Sequence, residues 1–425
     1  MGLNDAAWER LFEKYRIPEA VERDGRFLIS AAQIKEFREP RLMTKFDHRV
    51  NLPAVFTENR LSILPVTRGD YLISTFASYH TFDPPADKAC RISVPSHIQS
   101  LAPRFLVSEA IALNCAGACG ILSDFLEDEA LIPTVSGRMG SGSFAFLIDT
   151  ERGRASVSVS SSQIEIDAAY EGLRCLALFE AKRDLADDFL IRQLYYPFRV
   201  WSGRVTKPVK PVFLIFSNGV FYLYQYEFEN PHYYNSLHLV KQKNYVISPQ
   251  ISRRDLENLL RTVPEEPEPP ISFPQANRMA RIVNLAELLC EKPMTRQAIT
   301  TEYAFDERQT NYYTDAGRYL GLIEKTRNRG GGTVWFALSP LGRQIMEMDY
   351  RERQLAIIAR ILRHRVFRET LRLCLEWGEV PGMPEVVRIM KASNLFHVEA
   401  DSTYVRRSST VIGWMNWILN LGSTD

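Results

Sequence analysis

Between Gln163 and Lys182 the chain sets ionisable side chains into a stretch otherwise patterned for burial. That conflict restricts what the segment can become. Gln163, Glu165 and Asp167 alternate with Ile164 and Ile166, so a strand of period two puts all three on one face. Leu176-Ala-Leu-Phe-Glu-Ala181 is a nearly unbroken apolar run and reads as a strand covered on both sides, with Leu176, Leu178, Glu180 and Lys182 sharing one face. A turn near Glu171-Gly172 lays the two strands side by side. Ionised groups inside such a strand cost several kcal/mol unless they are paired or bind a metal. The arrangement carries Asp167, Glu180 and Lys182 toward one spot. Two carboxylates there can hold a hard divalent cation through oxygen, with a lysine beside an attacked phosphate. The competing reading is an exposed hairpin whose polar face is simply wet, and the apolar run around Glu180 argues against it.

Downstream, Asp187 to Trp201 has helical spacing at Leu190, Leu194 and Tyr195, with Arg192 and Gln193 near its centre. A helix bearing a cation and an amide beside an acidic site suits a phosphate-rich substrate. With Phe179-Glu-Ala-Lys182 and Gln163-Ile-Glu-Ile-Asp167, these residues resemble the PD-(D/E)XK nuclease superfamily, and more narrowly a group of type II restriction endonucleases. The narrower resemblance also rests on Ile132-Pro-Thr-Val-Ser-Gly-Arg-Met139 and Arg192-Gln-Leu-Tyr-Tyr-Pro-Phe-Arg199. It extends to Glu39-Pro-Arg-Leu-Met-Thr-Lys-Phe-Asp-His48 and Ser402-Thr-Tyr-Val-Arg-Arg-Ser-Ser-Thr-Val-Ile-Gly-Trp414, so it covers most of the chain. Two departures stand out. Ile166 occupies the place before Asp167 where the superfamily pattern has proline, and the Gln-x-x-x-Tyr motif of some exonuclease branches is not matched, since Pro197 stands four places after Gln193.

The resemblance implies a restriction-endonuclease-like mixed sheet flanked by helices, with Asp167 and Glu180 as ligands of Mg2+, for which Mn2+ may substitute. Lys182 would position or deprotonate the attacking water and stabilise charge on the phosphate. A further acidic ligand is often drawn from the helix before the sheet, and Glu109, just after Ser108, is the candidate; the bland reading is an acid that suits a capped helix N-terminus. Glu165 faces the same side as Asp167 and would bind metal or orient Lys182. The activity implied is sequence-specific cleavage of double-stranded DNA leaving 5′-phosphate and 3′-hydroxyl ends, by a homodimer. A cognate DNA methyltransferase is the expected genetic partner and not a bound subunit. The rivals are a DNA-binding regulator on a degenerate nuclease fold, against which retention of Asp167, Glu180 and Lys182 argues, and a repair or structure-specific nuclease.

At 425 residues the chain is expected to form roughly three domains of about 150 residues each. A net charge of +1 does not exclude a nucleic-acid partner, because cationic grooves are local and acidic groups are needed for metal. The six cysteines are scattered, Cys115 and Cys119 have the wrong spacing for a usual zinc or redox pair, and the seven histidines are unclustered. These read as small buried thiols in a reducing compartment. No hydrophobic leader and no run of about 18 apolar residues is present, which points to a cytoplasmic protein with no membrane partner.

Residues 1–100 read as an N-terminal α+β module, with Arg38, Arg41, Lys45, His48 and Arg49 near Phe46 as possible DNA contacts. Residues 101–262 read as the nuclease core, in which Arg138 of the glycine-rich Ser136–Ser143 stretch is a phosphate candidate along with Gln193. Residues 263–274 form a Pro/Glu linker. Residues 275–350 follow a winged helix-turn-helix pattern, whose third helix, capped by Asp306, carries Arg308 and Gln309 to face DNA, and whose hairpin tip carries Lys325, Arg327 and Arg329. Residues 351–425 read as a C-terminal helical module, possibly a second winged-helix-like domain, with Arg406 and Arg407 toward DNA and Val411, Trp414 and Trp417 in the core. Here the plain alternative is snorkelling arginines on an ordinary amphipathic helix.

Overall fold

The computed structural model describes residues 3–85, 89–95, 97–101, 108–247, 251–302, 305, 307–327, 333–393 and 395–421. They divide into two compact units. One comprises residues 1–86, 108–216 and 221–244, the other 87–107, 217–220 and 245–425.

A seven-stranded mixed sheet organises this α/β architecture. Six of its strands, in spatial order, are Leu237–Val246, Val220–Phe228, Val209–Ser217, Leu176–Lys182, Gln163–Glu171 and Ile132–Gly140. The apolar run at Leu176 takes a central place, parallel to Val209–Ser217 on one side and antiparallel to Gln163–Glu171 on the other. Every residue from Leu176 to Ala181 is buried, as expected of a strand flanked on both edges and covered on both faces. The turn between the Asp167 and Glu180 strands closes with Gly172 N–H donating to the Cys175 carbonyl at 3.0 Å. Asp128 holds it from outside, accepting from Arg174 N–H at 2.8 Å and Ala130 N–H at 3.2 Å. Asn218 and Gly219, both with positive φ (51° and 71°), make the two-residue turn that Asn-Gly favours.

Residues near the N-terminus build a small antiparallel sheet, Phe27–Ser30, Asp70–Ser74 and Ser62–Pro65, under the Leu3–Tyr15 helix. Trp8, Phe12 and Phe56 meet there edge to face. Residues 1–86, most of the N-terminal module expected over residues 1–100, share one compact unit with residues 108–216 and 221–244. One reason is a strand pair: Tyr79–Thr81 runs antiparallel to Asp188–Leu190. The same pairing corrects the downstream helix, which spans Arg192–Ser202 and not Asp187–Trp201. Phe189 and Leu190 are drawn into the core as strand residues, so Arg192 and Gln193 open the helix and do not sit at its centre.

In the second unit the helices Met279–Leu289, Arg296–Glu302 and Glu307–Tyr319 precede the strands Ile323–Arg327 and Val334–Leu338, which form a sheet with Met294–Thr295. Asp306 and the Arg329 tip lie outside the described residues. Five further helices follow: Pro340–Met346, Tyr350–Leu362, Arg365–Trp377, Met383–Lys391 and Asp401–Asn420. The expected division at 350/351 does not appear, since Ile282, Leu285 and Leu320 share one apolar core with Ile358, Phe367, Val411 and Trp414. Nor do residues 263–274 hang free as a connector. Prolines keep them extended, but Glu266 N–H donates to the Arg363 carbonyl at 2.8 Å, Glu268 accepts from the Tyr319 hydroxyl at 2.8 Å, and Phe273 stacks on Phe367. The arginine-rich helix is also structural in part. Buried Arg368 donates to the carbonyls of Leu362, Leu260 and Val263, which satisfies helix-terminal acceptors.

Gly413 lies in the terminal helix where a β-carbon would meet the Asn277 carbonyl oxygen at 2.2 Å, and backbone cannot swing aside as a side chain does. Gly413→Ala is therefore expected to destabilise this unit by about 1–3 kcal/mol. An unchanged denaturant midpoint would refute that packing.

Candidate active site

Where the two central antiparallel strands part, the backbone register ends at Phe179 opposite Ala168. One more step of the same register brings Glu180 opposite Asp167. There a side chain replaces the ladder, and Asp167 Oδ2 accepts from Ala181 N–H at 2.8 Å. Lys182 Nζ donates to Glu180 Oε1 at 2.5 Å, and the same oxygen accepts from Gln193 Nε2 at 2.7 Å. Gln193 reaches it from the first turn of the Arg192–Ser202 helix.

These side chains open into a cavity of about 500 Å3 whose lining includes Glu109, Arg138, Glu165, Asp167, Glu180, Lys182 and Gln193. Every site residue expected in the core thus lies around one space. Glu109 follows the Ser108 cap, whose hydroxyl accepts from Ile111 N–H at 3.3 Å. Its carboxyl is raised first by burial, with Lys182 opposing and Asp167 adding to the effect. Glu165 and Arg138 pair with each other at 3.2 Å and are each about half exposed, so they form a rim and not the floor.

Burial is the main cause that pushes the Glu180 carboxyl up to about 7; Lys182 opposes it, and Asp167 and Asp47 add to it. Burial also works against charge on Lys182. Glu180, then Asp47, Glu109 and Asp167, outweigh it and hold the ammonium well above its ordinary value. Lys182 is thus surrounded by carboxylates, while Arg41, Lys45, Arg68, Arg138 and Arg192 also line the cavity. Two buried acceptors lack a partner: Gln193 Oε1 and Ser162 Oγ, the latter in a fully buried residue lining the same cavity.

The donor chemistry fits a hard cation, being all oxygen at Asp167 and Glu180. Among the described residues no group of three or more His, Cys, Asp and Glu side chains is close enough to hold a metal. Glu109 therefore does not complete a three-carboxylate set. Magnesium is commonly held by one or two carboxylates, with water and substrate phosphates supplying the remaining oxygens, and the pair present matches that pattern.

Four further residues stand around the cavity: Asp47 and Arg68 were given no role from the sequence, Arg192 was expected near phosphate, and His48 was expected to contact DNA. Asp47, Arg68 and Arg192 line it, and His48 stands behind it. The string Glu39–His48 carried two of these, but nothing in its spacing announced that it folds onto the core. His48 is 5% exposed, with Nδ1 2.6 Å from the Asp188 carbonyl and Nε2 3.2 Å from Asp184 Oδ2. Burial opposes its charge, but the hydrogen bonds it donates to Asp184 and Asp188 prevail and push it up to about 10. Asp184, buried as well, is nonetheless held below the usual carboxylate range by His48.

Three family models match the chain in succession, each a domain of unknown function: DUF6996 over residues 5–73, DUF6997 over 74–246 and DUF7226 over 281–423. Neither the curated proteins nor the solved structures yield a match. The middle model contains Asp167, Glu180, Lys182 and Gln193, whereas Asp47 and His48 fall within the first. The cavity is thus lined from two of the matched segments. Among the described residues no helix is long and apolar enough to cross a membrane.

His48→Ala removes both bonds and leaves Asp184 without its counter-charge, so a loss on the order of 1–3 kcal/mol is expected. The sign with pH follows from the raised value. The contribution of His48 is full below about 6.5, declines as pH rises toward about 10 and is gone above it. Wild-type stability should therefore fall toward that of His48→Ala as pH climbs from 7 to about 10, and a gap that stays constant over that range would refute the clip.

Proposed function

We propose that the chain is a sequence-specific endonuclease of restriction type, hydrolysing double-stranded DNA with magnesium on a PD-(D/E)XK core. The observation that carries this reading is the meeting of Asp167, Glu180 and Lys182 at the point where two central strands separate, with Gln193 bonded to the same carboxylate. A merely wet hairpin has no reason to bury an ammonium among carboxylates, because each unpaired buried ion costs several kcal/mol.

In this reading Asp167 and Glu180 hold the cation, which when bound lowers the pKa of water and neutralises charge on the phosphate. Asp167 is oriented by Ala181 N–H, so its carboxylate is fixed by the strand itself. Lys182, kept as an ammonium by the carboxylates around it, orients the attacking water and stabilises charge developing on the phosphate oxygens. Gln193 fixes Glu180 and leaves its own buried carbonyl oxygen without a hydrogen-bond partner. Arg138 and Arg192 at the wall would meet neighbouring phosphates.

The second unit supports DNA recognition by its order of elements: helix, short strand, two helices and two strands, the order of a winged helix-turn-helix. Arg308 is exposed on the third helix and donates to the Tyr312 hydroxyl at 2.6 Å; Gln309 is half-buried; Lys325 and Arg327 are exposed on the Ile323–Arg327 strand. Arg406 is exposed, and half-buried Arg407 carries Nε and Nη1 without partners. Arg407 is lowered chiefly by burial, with Arg406 adding and Tyr312 opposing.

Lys182→Ala is expected to lower cleavage at least about 100-fold while leaving site-specific binding intact, since affinity rests on contacts elsewhere. Cleavage should need Mg2+ or Mn2+ and stop with chelator. Full activity in excess chelator, or an active Lys182→Ala chain, would overturn the proposal.

Joint replacement of Lys325 and Arg327 by alanine should weaken binding to all sequences alike, flattening the salt dependence by up to two phosphate contacts, each about 0.9 in slope. Arg308→Ala should instead change discrimination among sites. Unchanged affinity and salt slope in the double variant would remove the strand pair from the interface.

A further inference from the structure

Arg68 stands in the tight turn that joins the N-terminal strands Ser62–Pro65 and Asp70–Ser74, and it lines the cavity that holds Asp167, Glu180 and Lys182. The turn is closed from within. Thr67 N–H donates to the Asp70 carbonyl at 3.2 Å, and the Thr67 hydroxyl accepts from Asp70 N–H at 2.9 Å and donates to Asp70 Oδ2 at 2.8 Å. It is also braced from outside. Ala31 N–H donates to the Gly69 carbonyl at 2.6 Å, Ser160 N–H to the Val66 carbonyl at 2.8 Å, and the Tyr196 hydroxyl to the Pro65 carbonyl at 3.0 Å. The base of the Arg68 side chain is therefore fixed to the same strands and helix that carry the candidate site. Its guanidinium takes no part in that bracing and is exposed.

Most other cations of this cavity are already engaged. Lys182 donates to Glu180 at 2.5 Å, Arg138 pairs with Glu165 at 3.2 Å, Lys45 lies 3.6 Å from Asp47, and Arg192 stands over the Tyr196 ring at 5.7 Å from its centre. Among the described residues the guanidiniums of Arg68 and Arg41 make no hydrogen bond or ion pair. Both come from the N-terminal segment and both line the cavity. A guanidinium presents a planar fork of donors that matches the oxygens of a phosphate, and one mounted on a rigid turn loses less freedom when it binds. Arg68 makes no ion pair with Asp167 or Glu180, so it stands clear of the carboxylates that would surround the reacting group. We propose that Arg68, with Arg41 as a second cation, forms a subsite for a backbone phosphate of the DNA strand that flanks the phosphate hydrolysed. This rests on the hydrolase reading above and gives the N-terminal segment the task of seating the strand.

The test is Arg68→Ala in the full chain. Arg10→Ala serves as the control for losing one positive charge, since Arg10 is exposed on the Leu3–Tyr15 helix and does not line the cavity. Affinity for a short DNA duplex, measured at several salt concentrations, should fall about 10-fold in Arg68→Ala, and the salt slope should flatten by about 0.9. Neither should change in Arg10→Ala. With a duplex that the wild type cuts, the loss in kcat/KM should fall on KM, as expected of a contact made equally before and during reaction. The thermal midpoint should stay at the wild-type value; should Arg68→Ala melt early, Arg68→Gln is read in the same way. Unchanged affinity and slope overturn the subsite, as does an equal change in Arg10→Ala, which would reduce the effect to overall charge. A loss carried by kcat alone also overturns it, by moving Arg68 to the reacting phosphate. A wild type that binds DNA but cuts none overturns the hydrolase reading, and the slope comparison then still decides whether Arg68 holds a phosphate. A wild type that neither binds nor cuts DNA overturns both.

Discussion

The contact between Lys182 and Glu180, at 2.5 Å in the end of a central strand, is the interaction on which the site depends. A strand buried on both faces excludes charge, so an ion pair placed there must be satisfied on every side. Glu180 is satisfied by Lys182 and by Gln193. That demand explains why the helix carrying Gln193 begins where it does: a start at Asp187 would have spent Phe189 and Leu190 on a helix turn and carried the amide away from the carboxylate. The short strand Asp188–Leu190 is thus part of the site's support, since it sets the helix origin and also anchors the His48 segment.

The strands and their charged faces were legible because period-two alternation survives burial: Ile164 and Ile166 are inside, Glu165 is outside, and Asp167 lies where the two environments meet. Asn218-Gly219 was legible for a different reason, since its turn chemistry is local. The contributions of Asp47 and His48 were not, because their value depends on partners at Asp184 and Asp188, about 140 residues away in sequence. No local pattern distinguishes a buried imidazolium from a surface histidine near arginines. How the segment between residues 263 and 274 packs was hidden for a related reason. Proline and glutamate between residues 263 and 274 do signal extended chain, but whether extended chain is free or stapled depends on Tyr319, Arg363 and Phe367, which composition does not reveal.

The rigidity of the Phe46–Arg49 segment also bears on how the matched segments relate within the first unit. A boundary between family models falls at residues 73 and 74, inside a stretch that the structure treats as continuous. His48 is charged while buried, an arrangement that persists only because two carboxylates and a carbonyl surround it. Such a clip contributes to holding one segment on another only while it is intact, so any change that loosens it also moves Asp47 relative to Lys182. Stability and site geometry are therefore coupled through the same few bonds.

Charges of both signs share the cavity, and the proposed hydrolase reading gives each a part. Asp47, Glu109, Asp167 and Glu180 line it with Lys182, and carboxylates in that number would repel a phosphate. Arg41, Lys45, Arg68, Arg138 and Arg192 line the same space. A polyanion is drawn by these cations, whose attraction is screened by salt, and can enter further only if the carboxylates are neutralised. On the proposed reading a divalent cation at Asp167 and Glu180 would do this, next to a carboxylate that burial already pushes up to about 7.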